Sequence, residues 1–541
     1  MIKNKQFFSF SLLFTLLLGI VWMPLSVTAE GTSSIANGEF RVGMEAGYAP
    51  FNWTQTTDAN GAVAIPGDHS YAGGYDVQIA KKVAEGLNKR LVIVKTKWDG
   101  LAPALQSGKI DAVIAGMSPT PERKKEIDFS DPYYESNLVI VTRKDSKYAD
   151  AKSIKDFSGA KITAQLNTFH YTVIDQIPGV QKQQAQADFG AMRTALASGV
   201  IDGYVSERPE GVTAASVNPD IKMVEFSEEN GFQTDPADTT IAIGLRKEDP
   251  NLDKINEILA GISQEERTKI MDQAIIDQPA AENIGDENQS KPGLLTDFKN
   301  ILNQYGVLFL RGTGTTLLLA LIGTVVGTLI GLLIGVIRTV PESENKGKYA
   351  LQKVSNWLLS AYIEIFRSTP MMVQAMVIYY GIALAFSIDL NRTAAALFIV
   401  SINTGAYMSE IVRGGIFSVD KGQFEAAQAI GMTHSQTMTK IVLPQVIRNI
   451  MPATGNEFVI NIKDTSVLSV ISVSDLFFQG NSAAGANYQF FQTFSIICVI
   501  YFILTFTITR ILRWVEKRID GPAAYIPVEE AEQAVITGED K

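Results

Sequence analysis

Two hydrophobic rhythms divide the chain near residue 290. From about residue 36 to 280, short β-rich runs (FRVGMEA, RLVIVKT, DAVIAG, LVIVTRK, KITAQL, IDGYVS, TIAIGLR) alternate with helical stretches such as DVQIAKKVAEGLN. Strands alternating with helices predict an α/β domain. From about Val307 onward the runs become long, apolar and nearly uncharged. They predict an all-α domain with about five spanning helices, at about 314–337, 369–387, 393–412, 456–478 and 490–510. Each is near the roughly 20 residues that a bilayer core demands. The segment 347–366 is apolar but interrupted by Lys353, Asn356 and Glu364, which predicts an interfacial helix leading into the second span.

The opening residues combine a basic start (Lys3, Lys5), an apolar core and a small-x-small exit at Val27-Thr28-Ala29. This is the pattern of an export signal over residues 1–29, or of an uncleaved first membrane helix, and either places the following domain outside. Arg338, Lys346, Lys348, Lys353 and Arg367 follow the first span, Lys421, Lys440 and Arg448 the third, and Arg510, Arg513, Lys517 and Arg518 the last. Such positive segments belong on the cytoplasmic side. An external domain and a cytoplasmic tail, 516–541, require an odd number of spans, which five satisfies. Gly323, Gly327, Gly331 and Gly335 put a small-residue stripe on one face of the first span. Either the stripe packs another helix closely, within or between subunits, or glycine is merely tolerated there.

The formal net charge of −10 removes nucleic acid as a partner, since phosphate binding needs a basic surface. The single Cys498 lies in an apolar run, and His69, His170 and His434 are scattered, so neither a disulfide framework nor a metal site is expected.

Within the α/β half, LQSGKIDAVIAG (105–116) and LASGVIDGYVSE (196–207) match as helix end, Ser-Gly turn, Ile-Asp and strand. Two similar lobes are expected, each delivering residues beyond the carboxyl end of a strand to a shared cleft. The first repeat delivers Gly116, Met117 and Ser118, and the second Ser206 and Glu207. Thr120-Pro121-Glu122-Arg123 reads as a helix cap with proline in the first turn. Free N–H groups, a hydroxyl and Arg123 suit a carboxylate, while Glu207 on the opposite wall suits an ammonium. Together they describe a site for an α-amino acid whose binding draws the lobes together.

GMSPTPERKKEIDFSDPYYES is similar to the lobe-one signature of the periplasmic-type polar amino-acid binding proteins, and AGYAPFNW with GGYDVQIAKKVAEGL resembles their opening segments. The resemblance covers about residues 40–280. It implies that Gly116, Ser118 and Arg123 bind the ligand carboxylate, with Asn167 and Thr168 at the second lobe's helix start. It also implies that Glu207 takes the amino group and that Tyr48 and Trp98 sandwich the side chain. Asn167 stands where the family usually has glycine, and Glu207 where aspartate is commoner. Glu45 falls where the family places an acidic residue near the ligand side chain. That points to a polar or cationic side chain such as arginine, lysine, histidine or glutamine, unless Glu45 bonds only to its neighbours.

In the membrane half, QFEAAQAIGMTHSQTMTKIVLPQVIRNIMPA predicts a short small-residue helix, a turn and an amphipathic stretch ending near Pro444. This is either a docking surface for another protein or a plain connector. EAA, Gly431, Ile441, Leu443 and Pro444 resemble the coupling loop of bacterial ABC importer permeases; FRSTPMMVQ and IKDTSVLSVIS are similar to their polar amino-acid branch. The likeness spans about 310–515. It implies that Glu425, Ala426, Ala427 and Gly431 seat in a groove of a separate ATPase subunit. No G-x-x-x-x-G-K-[ST] occurs in the chain, so ATP and Mg are expected on that partner and no cofactor here. Because such a transporter needs two membrane halves, a homodimer with two ATPase copies is expected. Glu410 and Arg413 form either an interfacial ion pair or part of a membrane pathway, and Asn403, Lys463 and Asp464 carry the same two readings.

The expected fold is therefore a two-lobed periplasmic-binding-protein-like α/β domain, 30–285, with lobe one at about 36–140 and 238–280 and lobe two at about 146–234. A linker in AAENIGDENQSKPG, 280–293, and a pre-membrane helix to 310 lead into a permease domain, 311–515. The expected function is ATP-driven uptake of a polar L-amino acid. The alternatives are an amino-acid-gated channel or a membrane receptor with the same lobes. In such channels the pore interrupts the binding domain, whereas here both lobes precede every span and no TVGYG-like filter occurs. Only about thirty residues follow the last span, too few for a catalytic domain.

Overall fold

The β runs pair into two sheets with the same internal plan. In the first the order is Arg90–Lys95, Glu39–Met44, Ala112–Val113, Thr240–Leu245, Asp128–Glu135, the first three parallel and Thr240–Leu245 antiparallel to both neighbours. In the second it is Gln181–Lys182, Lys161–Thr163, Gly203–Glu207, Leu138–Arg143, Ile221–Val224, with Leu138–Arg143 in the antiparallel role. The chain thus crosses between lobes at Ser136–Asn137 and returns before Thr240. These coordinates are a computed structural model that describes residues 38–234, 239–279, 294–386, 388, 390–487 and 489–519. The expected signal at 1–29, the linker at 280–293 and the tail beyond 519 lie outside the described residues.

The sequence repeat is a repeated structural device. Asp111 accepts from the backbone N–H of Arg41, and Asp202 from that of Lys161, each at 2.9 Å. Each aspartate thereby ties its strand to the parallel neighbour. The preceding turns pass through Gly108 at φ +73° and Gly199 at φ +75°, a left-handed conformation open to glycine. Phe40, Val42, Met44 and Ile114 fill the first core. Ile140, Phe157, Ile162 and Val205 fill the second.

The chain forms two compact units, one of residues up to Thr315 with 375–395 and 468–497, the other of 316–374, 396–467 and 498 onward. In the first unit, buried Lys95 lies 3.3 Å from buried Asp68, which also accepts a hydrogen bond from Gln479. Arg392 donates to the Lys95 carbonyl at 2.9 Å. Burial alone would raise the Asp68 carboxyl, but Lys95 and bonds from Ser70, Ser474 and Gln479 hold it below its usual range.

Among the described residues three helices are long and apolar enough to cross a membrane: Leu295–Arg338, Arg392–Phe417 and Phe490–Glu516. Lys346–Ser368 and Met371–Phe386, bent by 111°, add a fourth if they count as one broken span. The five expected spans are corrected accordingly. Pro370 lacks an N–H and breaks the expected span 369–387 from the helix before it. The expected span 456–478 is not one helix: Leu443–Asp464 gives way to a 3-10 stretch, Thr465–Ile471, and a new helix begins at Leu476. A hydropathy window averages across that break. The expected interfacial segment 347–366 is the 23-residue helix Lys346–Ser368. Among the described residues a count of three or four does not by itself place the C-terminus.

The glycine stripe of the first long helix packs within the second unit. A Cβ added at Gly323, Gly327, Gly331 or Gly335 would approach Val400, Thr404, Met408 or Val412 to 2.3, 2.6, 2.5 or 2.5 Å. The two helices therefore touch backbone to side chain along four turns. Asn461 clasps the same pair, donating to Thr324 Oγ1 at 2.8 Å and Thr404 Oγ1 at 2.9 Å. Gly306 and Gly314 on the same helix face nothing within 4 Å. Thermal unfolding of single variants separates the two kinds of glycine. Gly331→Ala should lose ~1–3 kcal/mol to overpacking, while Gly306→Ala should be neutral or gain about 1 kcal/mol of helix propensity.

Candidate ligand-binding cleft and coupling loop

The first wall of the cleft grows from the strand Ala112–Val113. Beyond it Gly116 turns with φ +63°, and a Cβ there would meet the Tyr48 ring at 2.8 Å, so only glycine fits. Its N–H donates to the Tyr133 hydroxyl, which donates to buried Asp76, itself bonded by Asn52. Ser118 is buried, and Thr120 caps the helix Pro121–Glu126 by accepting from the Arg123 N–H. Arg123 lies over the Trp98 ring at 5.1 Å and donates to the Ser118 carbonyl at 2.9 Å. A second bond, at 3.0 Å, runs to the carbonyl of Asn167 in the other lobe.

The second wall begins after the strand Lys161–Thr163. Asn167 takes the left-handed conformation at φ +59°, and its amide donates to Asp99 of lobe one at 3.0 Å. Asparagine is one of the few side chains that tolerates this conformation. Thr168 donates to the Gln165 carbonyl and precedes the short helix Phe169–Val173. Glu207 ends the strand Gly203–Glu207 and is 3% exposed. Its Oε1 lies 3.5 Å from His170 Nε2, while its Oε2 meets no donor among the described residues.

Glu45, Tyr48, Trp98, Gly116, Ser118, Arg123 and Thr168 line one cleft, with Gln165, Phe169, His170 and Phe189. Asn167, Glu207 and Met117 are not among its lining residues: Asn167 and Glu207 stand beside lining Thr168 and His170, whereas the Met117 side chain is buried in the core and its carbonyl accepts from Ala242 N–H. Tyr48 stacks on Phe189 at 4.5 Å, and Trp98 is stacked by Arg123. Gln165, His170 and Phe189 are not among the site residues read from the sequence. Phe189 was marked by the repeat: Trp98 and Phe189 each open a helix seven residues ahead of the repeated Leu105 and Leu196.

Glu45 lines the cleft with Asp188, Lys97, Asp99 and Gln165 close enough to act on its carboxyl. Burial, and next the Asp188 carboxylate, push its carboxyl up to about 8, against the pull of Lys97 and a bond from Gln165. Burial and then Glu207 raise the Tyr48 hydroxyl well above its ordinary range, so it stays a neutral donor.

Residues 40–275 match the bacterial extracellular solute-binding proteins, family 3, and residues 327–521 the binding-protein-dependent transport system inner membrane component. The glutamine transport system permease protein of Escherichia coli K12 is 37% identical over 166 residues, 30% of this chain and 76% of that protein. The arginine transport system permease protein of Bacillus subtilis is 34% identical over 163 residues, 30% of this chain and 74% of that protein. Among solved structures, an amino-acid ABC transporter substrate-binding protein from Streptococcus pneumoniae bound to L-arginine aligns at 24% identity and TM-score 0.38, covering 44% of this chain and 95% of that one.

The chain belongs to the amino-acid ABC permeases, with a substrate-binding domain fused in the same polypeptide. It is a membrane protein and not an enzyme, since ATP hydrolysis in such systems lies on a separate subunit.

In this permease half the loop expected to couple forms the helix Lys421–Ala429. Its next turn passes through Gly431 at φ +80°, and Thr433 and Gln436 close a capping box on the following helix. Glu425 and Ala426 face outward, Ala427 packs inward, and Ile430 is 76% exposed. Met408, Val412, Met438, Val442 and Val446 form the core beneath. Glu410 is bonded by Arg338 at 2.5 Å and Arg413 at 2.7 Å, and Asn403 donates to Gln374 at 3.0 Å. Both polar groups are thus engaged inside the helical unit.

The raised Glu45 carboxyl has a measurable consequence. Between its ordinary value of 4.5 and about 8 the folded protein holds a proton that the unfolded chain releases. That contribution favours folding least at high pH, so stability should fall as pH rises across this window. Glu45→Gln should flatten part of this fall when the melting temperature is followed from pH 5 to pH 8; an unchanged slope would contradict the buried, proton-holding Glu45.

Proposed function

We propose that the chain imports a polar L-amino acid, with a basic side chain or glutamine favoured, as the fused substrate-binding and permease subunit of an ABC importer. The observation that carries this reading is that Arg123 of one lobe and His170 of the other line one cleft together with Glu45, with Glu207 3.5 Å from His170. Arg123, with Gly116 and Ser118, receives the α-carboxylate, and a guanidinium suits a carboxylate in bidentate geometry. Glu207 receives the α-ammonium. Thr168 and Asn167 present the second lobe's edge. Tyr48 and Trp98 bound the side chain, and Glu45 meets its polar or cationic end. A cationic side chain would draw the proton off Glu45, whereas an acidic one would meet a protonated Glu45 and be repelled by the nearby Asp188 carboxylate.

Two copies pair through their membrane domains and work with two ATPase subunits, which carry ATP and Mg. Glu425, Ala426, Ala427 and Gly431 form the contact to each ATPase, a reading supported by the exposed small-residue helix. Arg510 and Arg513 near the end of the last helix favour a cytoplasmic C-terminus, with the binding domain outside. Ligand capture closes the lobes, and ATP-driven closure of the partners is passed through Gln423–Pro444 to the spans.

Uptake tests the reading. Full chain reconstituted with its ATPase should accumulate labelled arginine, lysine, histidine or glutamine in an ATP-dependent manner and leave glutamate outside. Arg123→Ala should abolish both binding and uptake, whereas Ala426→Asp should retain binding and lose uptake. Preferential accumulation of glutamate, or accumulation without ATP, would overturn it.

A further inference from the structure

Among the described residues, the second lobe buries a histidine with no hydrogen-bond partner beside a carboxylate that Tyr48 bonds but whose Oε2 is left unmet. His170 is 7% exposed, and neither ring nitrogen has a hydrogen-bond partner among the described residues. Glu207, 3% exposed, leaves Oε2 equally unmet. The two lie 3.5 Å apart with no hydrogen bond between them. A histidine that serves only the core has its ring N–H met by a carbonyl or carboxylate, because an unmet buried donor is costly. Here the ring instead stacks on Phe169 at 4.2 Å and borders the cleft. An ammonium brings three donors, and a carboxylate oxygen with a neutral imidazole nitrogen supplies two of the acceptors it needs.

We propose that His170 is a ligand-binding residue: its neutral imidazole accepts from the ligand α-ammonium beside Glu207, and its protonated form pairs with Glu207 and competes with the ligand. The inference rests on the amino-acid reading above and adds a residue and a regulation to it. In the imidazolium state His170 places a positive N–H where the ammonium belongs, so proton and ligand exclude each other. The charged or titratable groups around the pair include the Tyr48 and Tyr134 hydroxyls and the buried Asp76 carboxyl, which interact with Glu207, together with Arg123 and Glu45 of lobe one. Asp76 and Glu45, pushed up by burial to about 7 and about 8, also change charge near neutral pH, so the His170 variants rather than the wild-type slope alone carry the assignment. Uptake would then weaken as the outside acidifies.

The test is calorimetric titration of the full chain in lipid nanodiscs at pH 5.5, 6.5 and 7.5. L-glutamine is the main probe, because its side chain carries no charge for Glu45 to attract, and L-arginine is run beside it. Wild-type Kd for glutamine should rise on the order of tenfold from pH 7.5 to pH 5.5. His170→Gln keeps an acceptor that does not titrate and should hold a nearly constant Kd, close to wild type at pH 7.5. His170→Phe keeps the stack on Phe169, loses the acceptor, and should bind on the order of tenfold more weakly at pH 7.5. A wild-type pH slope retained in His170→Gln would overturn the inference, as would wild-type affinity in a folded His170→Phe. If the wild-type chain binds neither probe nor lysine, histidine or glutamate, the amino-acid reading fails and this inference with it. Binding that is intact but indifferent to pH overturns the inference alone.

Discussion

A zwitterion enters a buried cleft only where fixed charges of opposite sign replace the water it loses. In this chain the two charges come from different lobes, Arg123 from one and Glu207 from the other. Everything that shapes the cleft serves to hold them still. Trp98 and two backbone carbonyls orient the guanidinium, and the strand Gly203–Glu207 fixes the carboxylate in a core that excludes solvent. Arg123 and Asn167 also bond across the lobes, and Asn167 bonds back to Asp99, so the charge anchor and the closure contact are the same few residues. On the proposed function, affinity and closure would be one event, as in domain closure around a ligand.

Much of this was legible in the sequence because the chain repeats itself. The Ser-Gly-x-Ile-Asp turns forecast two lobes, and the structure gives the reason: Asp111 and Asp202 each brace a parallel neighbour strand through its N–H. The same repeat aligns Trp98 with Phe189, a cleft residue that single-motif reading passed over. His170 gave no comparable signal, since a lone histidine in FHYTV is indistinguishable from a core residue until its unmet nitrogens are seen beside Glu207. Met117 was drawn toward the cleft by adjacency to Gly116 and Ser118, but alternation along the chain turns its side chain into the core.

The membrane half was legible in kind and not in count. Hydropathy finds apolar windows, but a break at Pro370 or at Asp464 is a matter of backbone hydrogen bonding that window averages do not register. Helix contacts, by contrast, were written in the glycines. Four residues spaced by four bring the helix Leu294–Arg338 against Val400, Thr404, Met408 and Val412, and Asn461 locks the pair with two hydroxyls. This pair leads on to the core beneath Lys421–Ala429, which gives that exposed helix a firm base.

The central claim is that Arg123 reads the ligand carboxylate and Glu207 its ammonium. The most direct measurement compares the affinity of the full chain for L-glutamine with that for two analogues, one lacking the carboxylate charge and one with hydroxyl in place of ammonium, in wild type, Arg123→Ala and Glu207→Gln. The account predicts that each analogue binds far more weakly to wild type, that neutralising the carboxylate costs little more once Arg123 is gone, and that removing the ammonium costs little more once Glu207 is neutral. Additive losses, with each variant indifferent to which ligand charge is missing, would contradict it.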